Sequence, residues 1–251
     1  MLNAYIFLST FLDIIISFMT INALLHLHAG DDKNDYITYS FEQALKEAKE
    51  QGMHAVALTC HNTFTSKDMY QTIADKYGIL FISGVEKVIE KRDVVILNCD
   101  KSIENVHTFE ALHIYKQTHP NCFIIAPHPY FPGGYSLQEK LEQHKECFDA
   151  IEFSWFYTKY IDFNKKAQLF AEQNSLPYIA TPDAHRMKYL CSGYVSIEAF
   201  EFSESALFDA IRQRKYKNIS KPKKLWRLFF YMVGFRISRI GKRKKSRKAV
   251  A

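Results

Sequence analysis

Two histidines separated by one residue, followed at once by carboxylates, are the first feature with chemical content: His26-Leu27-His28-Ala29-Gly30-Asp31-Asp32. They close the apolar run Ile21-Asn22-Ala23-Leu24-Leu25, which reads as a β-strand. Side chains two apart on a strand share a face, so both imidazoles can aim at one point. Nitrogen donors beside carboxylates outline a metal site. The pattern returns late in the chain as Asp183-Ala184-His185, again after an apolar run.

The intervening sequence supplies elements that would position these groups. Apolar runs at 54–60, 79–83, 94–98, 122–126, 150–153 and 177–181 alternate with amphipathic stretches at 41–49, 66–77, 104–117, 137–144 and 161–173. Strands alternating with helices predict βα units around a largely parallel sheet, covered on both faces. Counting the opening strand, seven strands predict an α/β fold, and they fit a barrel-like closure better than the alternative, a small open sheet. Only seven residues, Lys87–Asp93, separate Glu86 from Val94. That is too few for a parallel crossover, so one antiparallel hairpin is expected, returning Asp93 toward Glu86.

Chemistry in such barrels collects at the C-terminal strand ends. The residues falling there are His26, His28, His61, Glu86, His128, Asp183 and His185, with Asp93 folded back beside them and Asp31 and Asp32 just beyond the first strand. No thiolate is required, which suits zinc, manganese or iron. The donors exceed what one catalytic zinc takes, so two or three divalent ions are expected, with Glu86 placed to bridge a pair. Multinuclear sites serve displacement at phosphorus, and the same groups can hydrolyse amides.

The motifs His26-x-His28, Thr59-Cys60-His61-Asn62, Gly84-Val85-Glu86, the strand opened by Asp93, Ala126-Pro127-His128-Pro129 and Asp183-Ala184-His185 together resemble the polymerase and histidinol phosphatase (PHP) family of metal-dependent phosphoesterases. The resemblance spans residues 21–190. It implies a distorted seven-stranded (β/α) barrel of TIM-barrel type with a trinuclear site: His26, His28, Glu86 and Asp183 on one metal, Glu86, Asp93 and His128 on a second, and Asp31 or Asp32 with His61 and His185 on the third. It also implies catalytic roles for His61, Glu86, His128, Asp183 and His185 in hydrolysing a small phosphomonoester, of nucleotide or histidinol phosphate type. Two positions depart from the family pattern: Cys60 stands where the family usually has aspartate, and Asp93 where histidine is common. An amidohydrolase-type barrel and a non-catalytic, metal-bound regulatory barrel are the alternatives.

Other residues offer lesser signals. Arg186 and Lys188 follow the last motif and are candidates to bind the substrate phosphate, with Arg92 and Lys159 behind them. The loop Tyr130-Phe131-Pro132-Gly133-Gly134-Tyr135 is either a lid stacking on a substrate base or an ordinary turn. Glu152 and Ser154 end a strand on the same rim as candidates to support the ligands. Cys60 reads as a small buried residue rather than a nucleophile. The five cysteines are odd in number and lack C-x-x-C spacing, which argues for a reducing compartment.

Charge divides the chain. The net +6 hides twelve Lys/Arg and no Asp or Glu from Lys221 onward, which leaves 21 of the 33 basic groups against all 27 acidic ones in residues 1–220. The mildly acidic body disfavours long duplex substrates, and no nucleic-acid-binding signature is present, so a stable nucleic-acid partner is not expected. The tail 221–251 mixes aromatic and basic residues, ending in the polybasic run Lys242–Lys248. It suits an anionic membrane surface; the alternative is an apolar face docked on the barrel. Residues 1–20 are apolar, lack Lys and Arg, and are interrupted by Asp13. Met19 is a candidate translation start, with an anchor or a covering helix as alternatives. The expected organisation is an N-terminal extension over 1–20, a catalytic body over 21–220 and the tail, in the cytoplasm and peripheral to the membrane.

Overall fold

The computed structural model describes residues 18–226 and Leu228. The proposals for the rest of the N-terminal extension and for most of the tail lie outside the described residues. In chain order the elements are β1 (Met19–Leu27), α1 (Phe41–Glu50), β2 (Ala55–Leu58), α2 (Lys67–Asp75), β3 (Leu80–Ile82), β4 (Gly84–Ile89), β5 (Arg92–Leu97), α3 (Phe109–Thr118), β6 (Phe123–Ala126), α4 (Glu139–Gln143), β7 (Ala150–Ser154), α5 (Lys165–Gln173), β8 (Tyr178–Thr181), β9 (Gly193–Ala199), α6 (Glu204–Arg212) and β10 (Tyr216–Ser220).

The strands form two open mixed sheets, ordered β10-β9-β1-β2-β3 and β4-β5-β6-β7-β8, in place of the expected closed seven-stranded barrel. Hydrogen bonding at β1 explains the opening. β9 runs antiparallel to β1 from Met19↔Ala199 to Ala23↔Val195 and occupies the edge that β8 would need. β8's chain meets β1's only at its far end, through the bridge Leu27↔Ala184. On the other side the sheets are stitched by His61↔Glu86 and Thr65↔Gly84. Both seams therefore lie where the candidate ligands sit.

The hairpin between β4 and β5 forms as expected, with Val88 opposite Asp93 and Ile89 opposite Arg92. Its two turn residues, Glu90 and Lys91, have φ of 47° and 67°, the left-handed pair that a two-residue hairpin of matching twist requires. The helix expected over 104–117 is divided: a 3₁₀ turn covers Lys101–Asn105, and α3 starts only after Thr108, whose side chain accepts from Ala111 N. Ser66 precedes α2 as expected, but its hydroxyl makes no capping bond.

Ile21, Ala23, Leu25, Ala55, Ala57, Val95, Leu97, Phe123, Ile125 and Ile179 line the interior between the sheets. α6 closes that interior at the end away from the ligands, with Phe208 stacked on Phe123 at 4.7 Å. The outer faces are covered by α1 and α2 on one sheet and by α3 and α5 on the other.

Candidate metal centre

Strand parity brings most of the site together. Val95 and Leu97 of β5 and Ile179 of β8 face the interior, so Asp93 and Asp183, at even spacing from them, continue the same face. The same holds for Ala55, Ala57 and His61, and for Ala150 and Glu152. β1 needs a correction to this rule. Ile21, Ala23 and Leu25 point inward while Leu24 and Leu27 point outward, so unbroken alternation could not put His26 on the inner face beside Leu25. The β1–β2 register shifts between Leu24 and Leu27. This bulge switches parity and turns His26 and His28 inward.

Two ligands sit on strained backbone. His128 and Asp183 have φ of 30° and 38°, and each follows a proline just beyond a strand. Such left-handed conformations cost about 1–3 kcal/mol in a non-glycine residue and cluster at functional sites.

Glu86 is the hub. Its Oε1 lies 3.5 Å from both His26 Nε2 and His128 Nε2, and its Oε2 lies 3.3 Å from His28 Nε2 and 3.0 Å from His61 Nε2. Around it three groups of donors converge: His26, His28 and Asp183; Glu86, Asp93 and His128; and His28, His61 and His185. A fourth group, His113, Glu146 and Cys147, belongs to α3 and the turn after α4, away from the strand ends.

The donors fit cations. His26 Nδ1 pairs with Glu152 Oε2 at 2.9 Å, and His28 Nδ1 pairs with Asp32 Oδ2 at 3.1 Å. Carboxylates hold the proton on Nδ1 and leave Nε2 as the free donor. Yet the two Nε2 atoms face each other at 3.2 Å. That separation allows an N–H···N hydrogen bond when one ring carries a proton there, and it equally suits two ligands of one cation. Asp183 Oδ1 is buried without a hydrogen-bond partner, 3.6 and 3.5 Å from the same two nitrogens.

Electrostatics tell the same story. Burial works against charge on His26, but Asp183 and Glu86 outweigh it and raise its pKa to about 10. His128 is likewise buried, and its bond to Glu86 takes it up to about 9. His185 goes the other way, to about 4, because burial and the neighbouring His28 both oppose its charge. Burial also opposes the Glu86 carboxylate, yet His26 and His61 hold it well below the usual range. Asp93 rises to about 7 through burial and the charge of Glu86. Burial pushes the Cys60 thiol up to about 12, leaving no ready nucleophile there.

Some expected residues take other places. Asp31 is exposed and accepts a bond from Tyr70 Oη at 3.3 Å. Asp32 is buried, and its Oδ2 takes His28 Nδ1, His61 Nδ1 and the His61 backbone N–H, so it orients two histidines. The carboxylate that reaches His185 Nε2, at 3.3 Å, belongs to Asp35. The sequence reading passed over Asp35; its position in the same Asp-rich loop was the available signal. Arg186 is half-buried, and Lys188 is exposed with its ammonium over the Tyr189 ring at 4.9 Å. Ser154 bonds to Asn164 and Phe156 rather than to a ligand.

Comparison with known proteins fits this geometry. Residues 162–216 match the PHP-associated family, a stretch running from the residues before α5 through Asp183 and His185 to the start of β10. In structure the chain is similar to a two-domain Bacteroides vulgatus protein containing a predicted PHP-like metal-dependent phosphoesterase, with TM-score 0.62 and 18% identity over 85% of this chain and 70% of that one. It is similar to PsfC from Pseudomonas syringae, with TM-score 0.58 and 16% identity over 90% and 98%. Endonuclease Q, solved with a 27-mer duplex substrate carrying an abasic lesion, matches with TM-score 0.60 and 16% identity over 81% of this chain and 60% of its own. At these identities the likeness is one of fold. No curated protein matches the chain in sequence.

Proposed function

We propose that this chain with the PHP fold is a metal-dependent phosphoesterase acting on a small phosphomonoester. The observation that carries the reading is Glu86, one carboxylate within 3.5 Å of four imidazoles that are drawn from all three donor groups. His26, His28 and Asp183 would hold one ion, Glu86, Asp93 and His128 a second, and His28 or Asp35 with His61 and His185 a third. Zinc, manganese and iron all suit such donors. Metal held by these residues would supply Lewis-acid polarisation of phosphoryl oxygens and a bound water of lowered pKa. The chain's own residues set the geometry: Glu152 and Asp32 fix imidazole tautomers, and the two sheet seams hold the strand ends together. Endonuclease Q was solved with a 27-mer duplex substrate; here the net acidic charge of residues 1–220 favours a small substrate over a long polyanion.

The test is hydrolysis of a panel of phosphomonoesters, read as phosphate release, and of amides, read as amine release, by zinc-, manganese- or iron-loaded protein. Metal-dependent phosphate release supports the reading; amide hydrolysis without it points to amidohydrolase chemistry.

The tail is a separate proposal. No helix among the described residues is long and apolar enough to cross a membrane. Its first residues join the body: Lys223 N donates to Tyr157 O at 2.8 Å, and Leu228 packs with Trp155 and Tyr189. The aromatic and basic sequence that follows suits attachment to anionic lipid. Sedimentation with phosphatidylserine vesicles, lost when Lys242–Lys248 are neutralised, tests it.

A further inference from the structure

One cluster of donors stands apart from the strand-end centre. α3 buries Phe109, Leu112 and Tyr115, and His113, four residues after Phe109, borders that buried stripe. Against it packs a 3₁₀ turn, Lys145–Cys147, between α4 and β7, with Cys147 Sγ 3.6 Å from Phe109 O. A ring nitrogen of His113, a carboxylate oxygen of Glu146 and Cys147 Sγ lie within 4.8 Å of one another. Ligands on one tetrahedral zinc stand about 3.5 Å apart, so small side-chain rotations separate the three from ligand spacing.

The partners of these groups leave them available. His113 Nε2 pairs with the Gln117 amide at 2.9 Å, whereas Nδ1 is buried with no hydrogen-bond partner among the described residues. A buried nitrogen of that kind is an exception that calls for a ligand or an ion. A half-turn of the Gln117 amide exchanges its oxygen and nitrogen. With the oxygen toward the ring, Nε2 carries the proton and Nδ1 keeps its lone pair, as in other imidazole ligands supported by an acceptor. Glu146 accepts from Lys116 Nζ through its backbone carbonyl at 3.2 Å, and its carboxylate stands 3.9 Å from His144 Nδ1, beyond hydrogen-bond reach. Cys147 is wholly buried, His113 half-buried and Glu146 exposed, which gives one side open to solvent for an ion to enter.

We propose that His113 through Nδ1, Glu146 and Cys147 bind one divalent ion of zinc type, at a site separate from the strand-end centre. Thiolate, imidazole and carboxylate together suit zinc rather than magnesium or calcium, and three protein ligands leave a fourth position for water. Binding replaces the Cys147 thiol proton, which passes to solvent. The ion ties α3 to the turn that leads into β7. That strand begins three residues after Cys147 and carries Glu152, the partner of His26, so the site braces one support of the main centre from outside. It stands independently of the phosphoesterase reading.

The three strand-end donor groups contain no cysteine, so a thiolate–metal band separates the two sites. The test titrates the full chain with cadmium and follows ultraviolet thiolate-to-metal charge-transfer absorption, with total bound cadmium measured by dialysis. Wild type should reach one thiolate-bound ion per chain. Cys147→Ser and His113→Ala should lose the band, and Cys191→Ser, outside the cluster, should keep it. Gln117→Ala alters only an exposed side chain, so folding is spared, and should need about 10- to 100-fold more cadmium. Cadmium bound by wild type with no thiolate band would overturn the site, as would a band that survives Cys147→Ser or a titration indifferent to Gln117→Ala. Phosphate release enters none of these results.

Discussion

His26 Nδ1 and Glu152 Oε2 meet at 2.9 Å with both side chains fully buried. Glu152 comes from β7 in one sheet and His26 from β1 in the other, so this contact spans the two sheets and fixes which imidazole nitrogen faces Glu86 and Asp183. Glu152→Gln keeps the size but offers an amide in place of the acceptor carboxylate. We expect metal affinity to fall about 10- to 100-fold, with the fold retained, as measured by competition with a chelating dye.

Tyr39 ties the same seam from the opposite side. Its buried hydroxyl lies 2.7 Å from both the His28 and the Ala184 carbonyl oxygens. Tyr39→Phe leaves those acceptors short of a donor, at a cost of about 1–3 kcal/mol. A lower denaturation midpoint with unchanged slope in urea is the expected result.

Gly193 begins β9 where it crosses the end of β8. A Cβ there would come within 2.8 Å of Thr181 O, two residues before Asp183. Overpacking of this kind costs about 1–3 kcal/mol. Gly193→Ala should lower the thermal midpoint, whereas Gly133→Ala, which meets nothing within 4 Å, should leave it within a degree or so.

Metal removal should reveal how far the centre is held together by its ions. Buried Glu86 and half-buried Asp93 and Asp183 bring three carboxylates to one centre, and a ligand present at 100 times its dissociation constant stabilises the native state by about 2.7 kcal/mol. Chelation should lower the thermal midpoint of wild type, readdition should restore it, and Asp183→Asn should respond less to either.

Much of this was legible in the chain because apolar runs of four to seven residues mark buried strands, and all but the run at 94–98, which Asp93 precedes, contain or lead into a His, Asp or Glu of the site. The hairpin was legible from length alone. What escaped notice depended on tertiary contacts. The bulge that turns His26 inward leaves no mark in Ala23-Leu24-Leu25-His26. The choice among Asp31, Asp32 and Asp35 follows from how the loop folds back, with Gly30 N bonded to Tyr39 O and Asp32 drawn to His61. β9 lies beyond the seven expected strands, although Val195-Ser196-Ile197-Glu198-Ala199 alternates apolar with polar residues as a half-buried strand does. Its antiparallel pairing with β1, which opens the barrel, was not legible, because nothing local distinguishes it from a strand beside β8.

The central claim is that one multinuclear centre, shared through Glu86, hydrolyses phosphomonoesters. The most direct measurement is metal content per chain together with phosphate release, for wild type, Glu86→Ala and His128→Ala. Two or three bound ions in wild type, fewer in both variants, and phosphate release lost with them are the results this account predicts. Turnover that survives Glu86→Ala, or a wild-type protein that binds no metal at the concentrations supporting turnover, would contradict it.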